Sequence, residues 1–170
     1  MMINEALSAP AESLKELANR ILSELHQAVT FQEEGVLKRE VEAVHQMRVA
    51  SRRLRVALSN FAVCCVLSER RRTRAFLGRL AEALGGVRDL DVLIAALKVY
   101  KASLPPSEQG HVGALIRRLR ARRLRRRHRL EAFLRHEDYI CFKREFPSLI
   151  QTSLAVDQQT ERQEDYGQGA

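Results

Sequence analysis

Tryptophan is absent, and the 170 residues include only three cysteines, four prolines, eight glycines and nine aromatic rings, six Phe and three Tyr. Scarce proline and glycine leave few breaks, and no run of β-branched residues alternates at period two, so strands have little support. Cys64, Cys65 and Cys141 are too few for a disulfide framework, and the adjacent pair is poorly placed to bridge itself or to share a zinc. They read as small apolar fillers, and no metal site is expected. No apolar run approaches the roughly 18 residues of a membrane span, which argues against an integral membrane protein. Met1 to Pro10 lacks the basic start and apolar run of a secretory signal, so a cytoplasmic location is expected. Catalytic signatures are also missing. There is no phosphate-binding glycine loop and no dinucleotide fingerprint, and His26, His45, His111, His128 and His136 offer no compact ligand set. Neither an enzyme nor a resident cofactor is expected.

About 45% of the chain is apolar, enough for one domain with a sizeable core. The net charge is +8, and its placement says more than its size. Lys38 to Arg129 holds 23 basic and 7 acidic residues, a balance of +16, while the remainder holds 6 and 14, a balance of −8. Within the basic middle, Arg117 to Arg129 (RRLRARRLRRRHR) contains nine arginines and no acid.

The pattern predicts an all-α antiparallel bundle of about six helices over residues 10–156, followed by a polar, disordered tail over 157–170. The first helix is expected from about Pro10 to Glu33, with Ser8 as a cap, Leu14, Leu17, Ile21, Leu25 and Ala28 at helical spacing, and Gly35 as its stop. A second runs from about Leu37 to Cys64. A third runs from about Glu69 to Leu84, where Gly85 and Gly86 supply a C-terminal stop, and Arg88 or Asp89 opens a fourth. That one ends before Pro105 and Pro106. A fifth spans about Ser107 to His136, and a sixth about Tyr139 to Val156, with Pro147 as a kink or break.

The second helix carries the sharpest signal. With an advance of about 100° per residue, His45, Arg48, Arg52 and Arg55 fall within an arc of about 80°. Met47, Ala50, Leu54, Ala57, Leu58 and Phe61 gather on the opposite side. A charged face is how any surface helix stays soluble, but such faces usually mix acids with bases at i, i+4 spacing. From His45 to Ser68 there is no acid at all. Like charges one turn apart repel, and arginine's planar fork suits phosphate or carboxylate, so an anionic ligand is expected there.

VHQMRVASRRLRVAL, containing His45, followed some thirty residues later by LGGVRDLDVLIAAL, resembles the CHAD domain, the conserved histidine α-helical domain. The resemblance covers roughly residues 12 to 156. It implies an all-helical fold made of two pseudo-symmetric four-helix bundles around a basic channel that binds inorganic polyphosphate without catalysis. It places His45, Arg48, Arg52, Arg53 and Arg55 on the helix lining that channel, and Arg88 at the second motif. Asp89 and Asp91 are expected to be structural, as helix caps or arginine holders. On the fifth helix, Arg123 and Arg126 interrupt an apolar face of Val112, Leu115, Ile116, Leu119, Leu130, Phe133 and Leu134, so they should line a wet cavity, find acids or meet an anion. Arg79 is a weaker candidate on the third helix.

This chain resembles only the N-terminal half of the family pattern: Arg118, Arg122, Arg123 and Arg125 echo Arg48, Arg52, Arg53 and Arg55, but Leu115 stands in place of His45. Two copies associating to complete the channel, in a manner dependent on polyphosphate, are one expectation; an open half-domain groove is the other. CHAD domains are often joined to CYTH triphosphatases, which makes a CYTH-type or other polyphosphate-related protein an expected partner, and polyphosphate granules an expected location. Nucleic acid is the rival ligand. Single strands are disfavoured because no aromatic stands between Tyr100 and Phe133 for bases to stack on, while duplex DNA or RNA bound through its backbone stays open.

Overall fold

The computed structural model describes residues 12–65 and 67–165, and all its regular structure is helical. The elements are α1 (Leu14–Phe31), α2 (Glu33–Leu37), α3 (Val41–Asn60), a 3-10 turn (Ala62–Cys64), α4 (Leu67–Ser103), α5 (Gln109–Arg135) and α6 (Glu137–Asp165). α3 packs between α1 and α4, α4 packs on α5, and α6 returns against α1. The core is apolar and continuous: Leu22 and Val29 of α1, Val44, Met47 and Leu54 of α3, and Leu77, Leu80, Leu84 and Val87 of α4 are all fully buried.

α1 starts later than its pattern suggests. Ser13 caps it, its hydroxyl accepting from the Glu16 amide while the Glu16 carboxylate accepts from the Ser13 amide, a reciprocal pair that fixes the first turn. Ser8 lies outside the described residues. Gly35 is inside the short α2, where a Cβ would come within 2.6 Å of the Ala43 Cβ, so its missing side chain lets α2 lie against α3. Arg39, at φ 69°, then takes the left-handed turn into α3, with Glu131 of α5 accepting from its Nε at 3.2 Å.

The expected break at Gly85 and Gly86 does not occur. α4 runs unbroken through both glycines and is about 55 Å long. Gly in a helix costs roughly 1 kcal/mol against Ala, a weak preference that packing overrides here. Ideal Cβ atoms on Gly85 and Gly86 would lie 3.7 Å from the Arg48 Nε of α3 and 3.4 Å from the Arg126 Cδ of α5, so the two glycines admit two long side chains from neighbouring helices. Asp89 is therefore mid-helix and exposed, and it caps nothing.

α6 likewise continues through Pro147. Phe146 and Ile150 are buried on either side of it, so packing holds the helix across the missing amide. α6 runs to Asp165, past the expected end at Val156. Tyr166 to Ala170 lie outside the described residues. α6 runs antiparallel to α1: Lys143 bonds Glu33 at 2.6 Å beyond the C-terminal end of α1, while Phe142 and Phe146 bracket the His26 ring at 5.0 and 5.1 Å. No helix among the described residues is long and apolar enough to cross a membrane.

Candidate functional site

α3 buries Ala43, Val44, Met47, Ala50, Leu54, Ala57 and Leu58, which commits the opposite face to the surface. That face forms one wall of a groove of about 770 Å³ between α1 and α3, lined by His45, Arg48, Val49, Arg52, Arg53, Val56, Asn60 and Phe61 of the α3 side and by Ile21 and Leu25 of α1. The floor is aliphatic and the charge in the lining is entirely cationic. A low-dielectric wall lined by one sign of charge concentrates the field in the cleft.

The expected residues divide sharply. His45, Arg48, Arg52 and Arg53 line this groove together. His45 and Arg48 are half-buried, and Arg52 and Arg53 are exposed. Arg48 has its Nε buried against α4 with no hydrogen-bond partner, held at the level of Gly85. Among the described residues no carboxylate lies within 4.0 Å of the side-chain nitrogens of these four, nor of Arg55. Arg55 is exposed but lies outside the groove lining, because the face centres on Val49 and Val56, not on the arc running from Arg55 to His45. Those two valines escaped the sequence reading, which followed charge alone.

The other candidates stand elsewhere. Arg79 lines a second groove, of about 410 Å³, between α4 and α6, where its guanidinium is 3.0 Å from Asp138 and 6.0 Å from the Phe76 ring centre. Arg123 is 2.8 Å from Asp91, whose side chain is only 3% exposed. Both have an acid partner within the fold, and for Arg123 that is one of the outcomes expected of it. Asp91 thus holds an arginine, as expected of it. Arg88, half-buried on α4, lies outside the α1–α3 groove, and Arg126 lies against Gly86 on the α5 side of α4.

Sequence reasoning missed Arg127. It is 5% exposed, with Nε and Nη1 buried and without hydrogen-bond partners, and the second oxygen of Asp91 is in the same condition. Burial pushes the Arg127 guanidinium below its ordinary range, the Asp91 charge works against this, and Arg123 and Arg39 reinforce it. The signal was present: Ile116, Arg123, Arg127, Leu130 and Leu134 follow one another at heptad-like spacing, so Arg127 belongs to the packed face.

Two further polar groups are buried away from the groove. Burial lowers the pKa of His26, packed between the rings of α6, and raises that of Tyr139, with the nearby Glu33 charge adding to the effect.

Comparison with known proteins gives one match. A family model described as "CHAD domain" matches residues 20–166, most of the chain. No curated protein and no solved structure matches.

Proposed function

Because the chain belongs to the CHAD domain family, which is associated with polyphosphate-related proteins, we propose that its α1–α3 groove binds inorganic polyphosphate without transforming it. The observation that carries this reading is the free state of the basic side chains on α3: His45, Arg48, Arg52 and Arg53 share one groove and no described carboxylate lies within reach of them. A guanidinium with no acid in reach among the described residues keeps its full capacity for charge-assisted hydrogen bonds to an external anion.

Arg48 and Arg52 stand one helical turn apart, about 6 Å along the axis, a spacing that lets successive cations meet nearby units of a linear polyanion. Arg48, with its Nε buried against Gly85, loses less conformational freedom on binding than the exposed Arg52 and Arg53. His45 is shorter and half-buried, so its ring limits how closely the chain approaches α3. Ion release from the polyanion drives affinity, and the aliphatic floor strengthens each contact. Such a groove serves attachment to polyphosphate granules, or recruitment of a CYTH-type or other polyphosphate-related partner. A second copy supplying its own α3 would double the cationic row.

The test is a competition. Protein loaded with long-chain polyphosphate is titrated with duplex DNA, single-stranded RNA and free phosphate at fixed ionic strength. Polyphosphate should resist displacement by nucleic acid of equal charge; easy displacement by duplex would transfer the site to nucleic acid.

A further inference from the structure

The fold sorts the nine arginines between Arg117 and Arg129 of α5 into two groups. Three turn inward: Arg123 pairs with Asp91, Arg126 lies against Gly86, and Arg127 is buried. The other six, Arg117, Arg118, Arg120, Arg122, Arg125 and Arg129, are exposed and line neither the α1–α3 nor the α4–α6 groove. None of the six meets a carboxylate among the described residues, and the sequence has no acid between Glu108 and Glu131. Arg118 and Arg122 stand one turn apart, as do Arg125 and Arg129, and like charges at that spacing repel. With no acid in reach to offset the repulsion, the surface calls for an external polyanion.

Rotation decides which one. With Arg117 at 0° and about 100° per residue, Arg118, Arg122, Arg125 and Arg129 fall between about 80° and 140°, while Arg120 falls at about 300°. The buried Ile116, Leu130 and Leu134 lie between about 220° and 260°, on the packed side. Two cationic shoulders, Arg118 to Arg129 on one and Arg117 with Arg120 on the other, therefore flank the outer face. Ala114, Ala121 and His128 stand between them, at about 20° to 60°. A linear polyanion meets one shoulder at a time. The major groove of B-form DNA, about 12 Å wide, admits a helix about 10–12 Å across and has a phosphate strand on each wall. From this we infer that the outer face of α5 binds double-stranded DNA by lying in its major groove, with the six exposed arginines on the two phosphate walls. The alanines between the shoulders let the helix approach the groove floor. Contacts to phosphate carry no base information, so binding is independent of sequence. The major groove of an RNA duplex is too deep and narrow for this docking, and the face has no Phe, Tyr or Trp on which unpaired bases could stack.

The test follows a labelled, short DNA duplex of mixed sequence by fluorescence anisotropy with the full chain. Replacing Arg118, Arg122 and Arg125 by Gln should weaken duplex binding at least about tenfold and flatten the log affinity against log salt line by about 2.7, the share of three phosphate contacts. All three positions are exposed, so circular dichroism should stay unchanged. Removing the same charge from the exposed Arg71, Arg72 and Arg74 of α4 should cost less than about threefold, and an RNA duplex of equal length should bind more weakly than DNA. Equal losses in the two triple variants would reduce the effect to net charge and overturn the inference, as would equal affinity for the RNA duplex. A polyphosphate affinity that falls with the α5 variant as far as the DNA affinity does would also overturn it, by assigning the face to polyphosphate. The readouts separate from those of the groove: Arg48→Gln with Arg52→Gln should leave DNA binding in place, so either surface can fail while the other stands.

Discussion

In the groove between α4 and α6, Arg72 and Arg79 share the walls with Glu69, Glu137, Asp138 and Glu145. In the groove between α1 and α3, Arg48, Arg52, Arg53 and His45 share them with no acid. The residue type is the same and the helical setting similar, yet Arg79 spends its charge on Asp138 at 3.0 Å while the α3 arginines meet no carboxylate among the described residues. A count of basic residues therefore says little about where an anion binds. What decides is the supply of acids within reach, and on α3 that supply runs out after Glu42. The α4–α5 interface lies between these extremes: Asp91 neutralises Arg123 but leaves Arg127 buried with two unpartnered nitrogens.

The contrast can be broken most directly by removing cations from each groove. Arg48→Gln with Arg52→Gln should lower polyphosphate affinity about 100-fold or more, each lost charge-assisted contact being worth roughly 1.5–3 kcal/mol, while circular dichroism stays unchanged. Arg79→Gln should change affinity less than about twofold, since an exposed ion pair contributes little either way. Isothermal titration with one polyphosphate preparation compares the two.

Asp91→Asn should destabilise the fold by about 3 kcal/mol in urea denaturation, because it takes the carboxylate partner from Arg123 and the favourable charge from buried Arg127. Arg127→Met, which removes a buried charge in place of its counter-charge, should cost far less.

A smaller effect comes from pH. Burial depresses the His26 pKa in the folded chain, so the unfolded chain takes up the proton first as pH falls below about 6.5. Stability should thus be flat in this respect above that value and decline below it, with urea midpoints at successive pH values as the readout. His26→Leu should flatten that part of the profile. The smallest effect is expected at Gly78, where a Cβ meets nothing within 4 Å: Gly78→Ala should stabilise by about 0.8 kcal/mol in the same denaturation assay.

The faces of α3 were legible because one rotation rule sorts its residues: Met47, Ala50, Leu54, Ala57 and Leu58, which that rule puts on the packed side, are buried, while Phe61 is half-buried and lines the groove. The division of α4 was misread because two adjacent glycines satisfy a local stop rule, and only the neighbouring Arg48 and Arg126 reveal why they continue the helix. Pro147 misleads in the same way, since Phe146 and Ile150 hold α6 on both sides of it. Of the candidate cations, the sequence could place each on a helix but could not say which would find an acid. Asp138 is 59 residues from Arg79 along the chain, and Asp91 is 32 from Arg123. Val49 and Val56 were missed because the centre of a charged groove can be apolar.

The central claim, that the α3 cations are free to meet a polyanion, is tested most directly by the salt dependence of polyphosphate affinity. A plot of log affinity against log salt should be steep for the unsubstituted chain, and its slope should fall by about 1.5 in the Arg48→Gln, Arg52→Gln double variant, the share expected of two contacts. A shallow line for the unsubstituted chain, or a steep one that the double variant leaves untouched, would contradict the account.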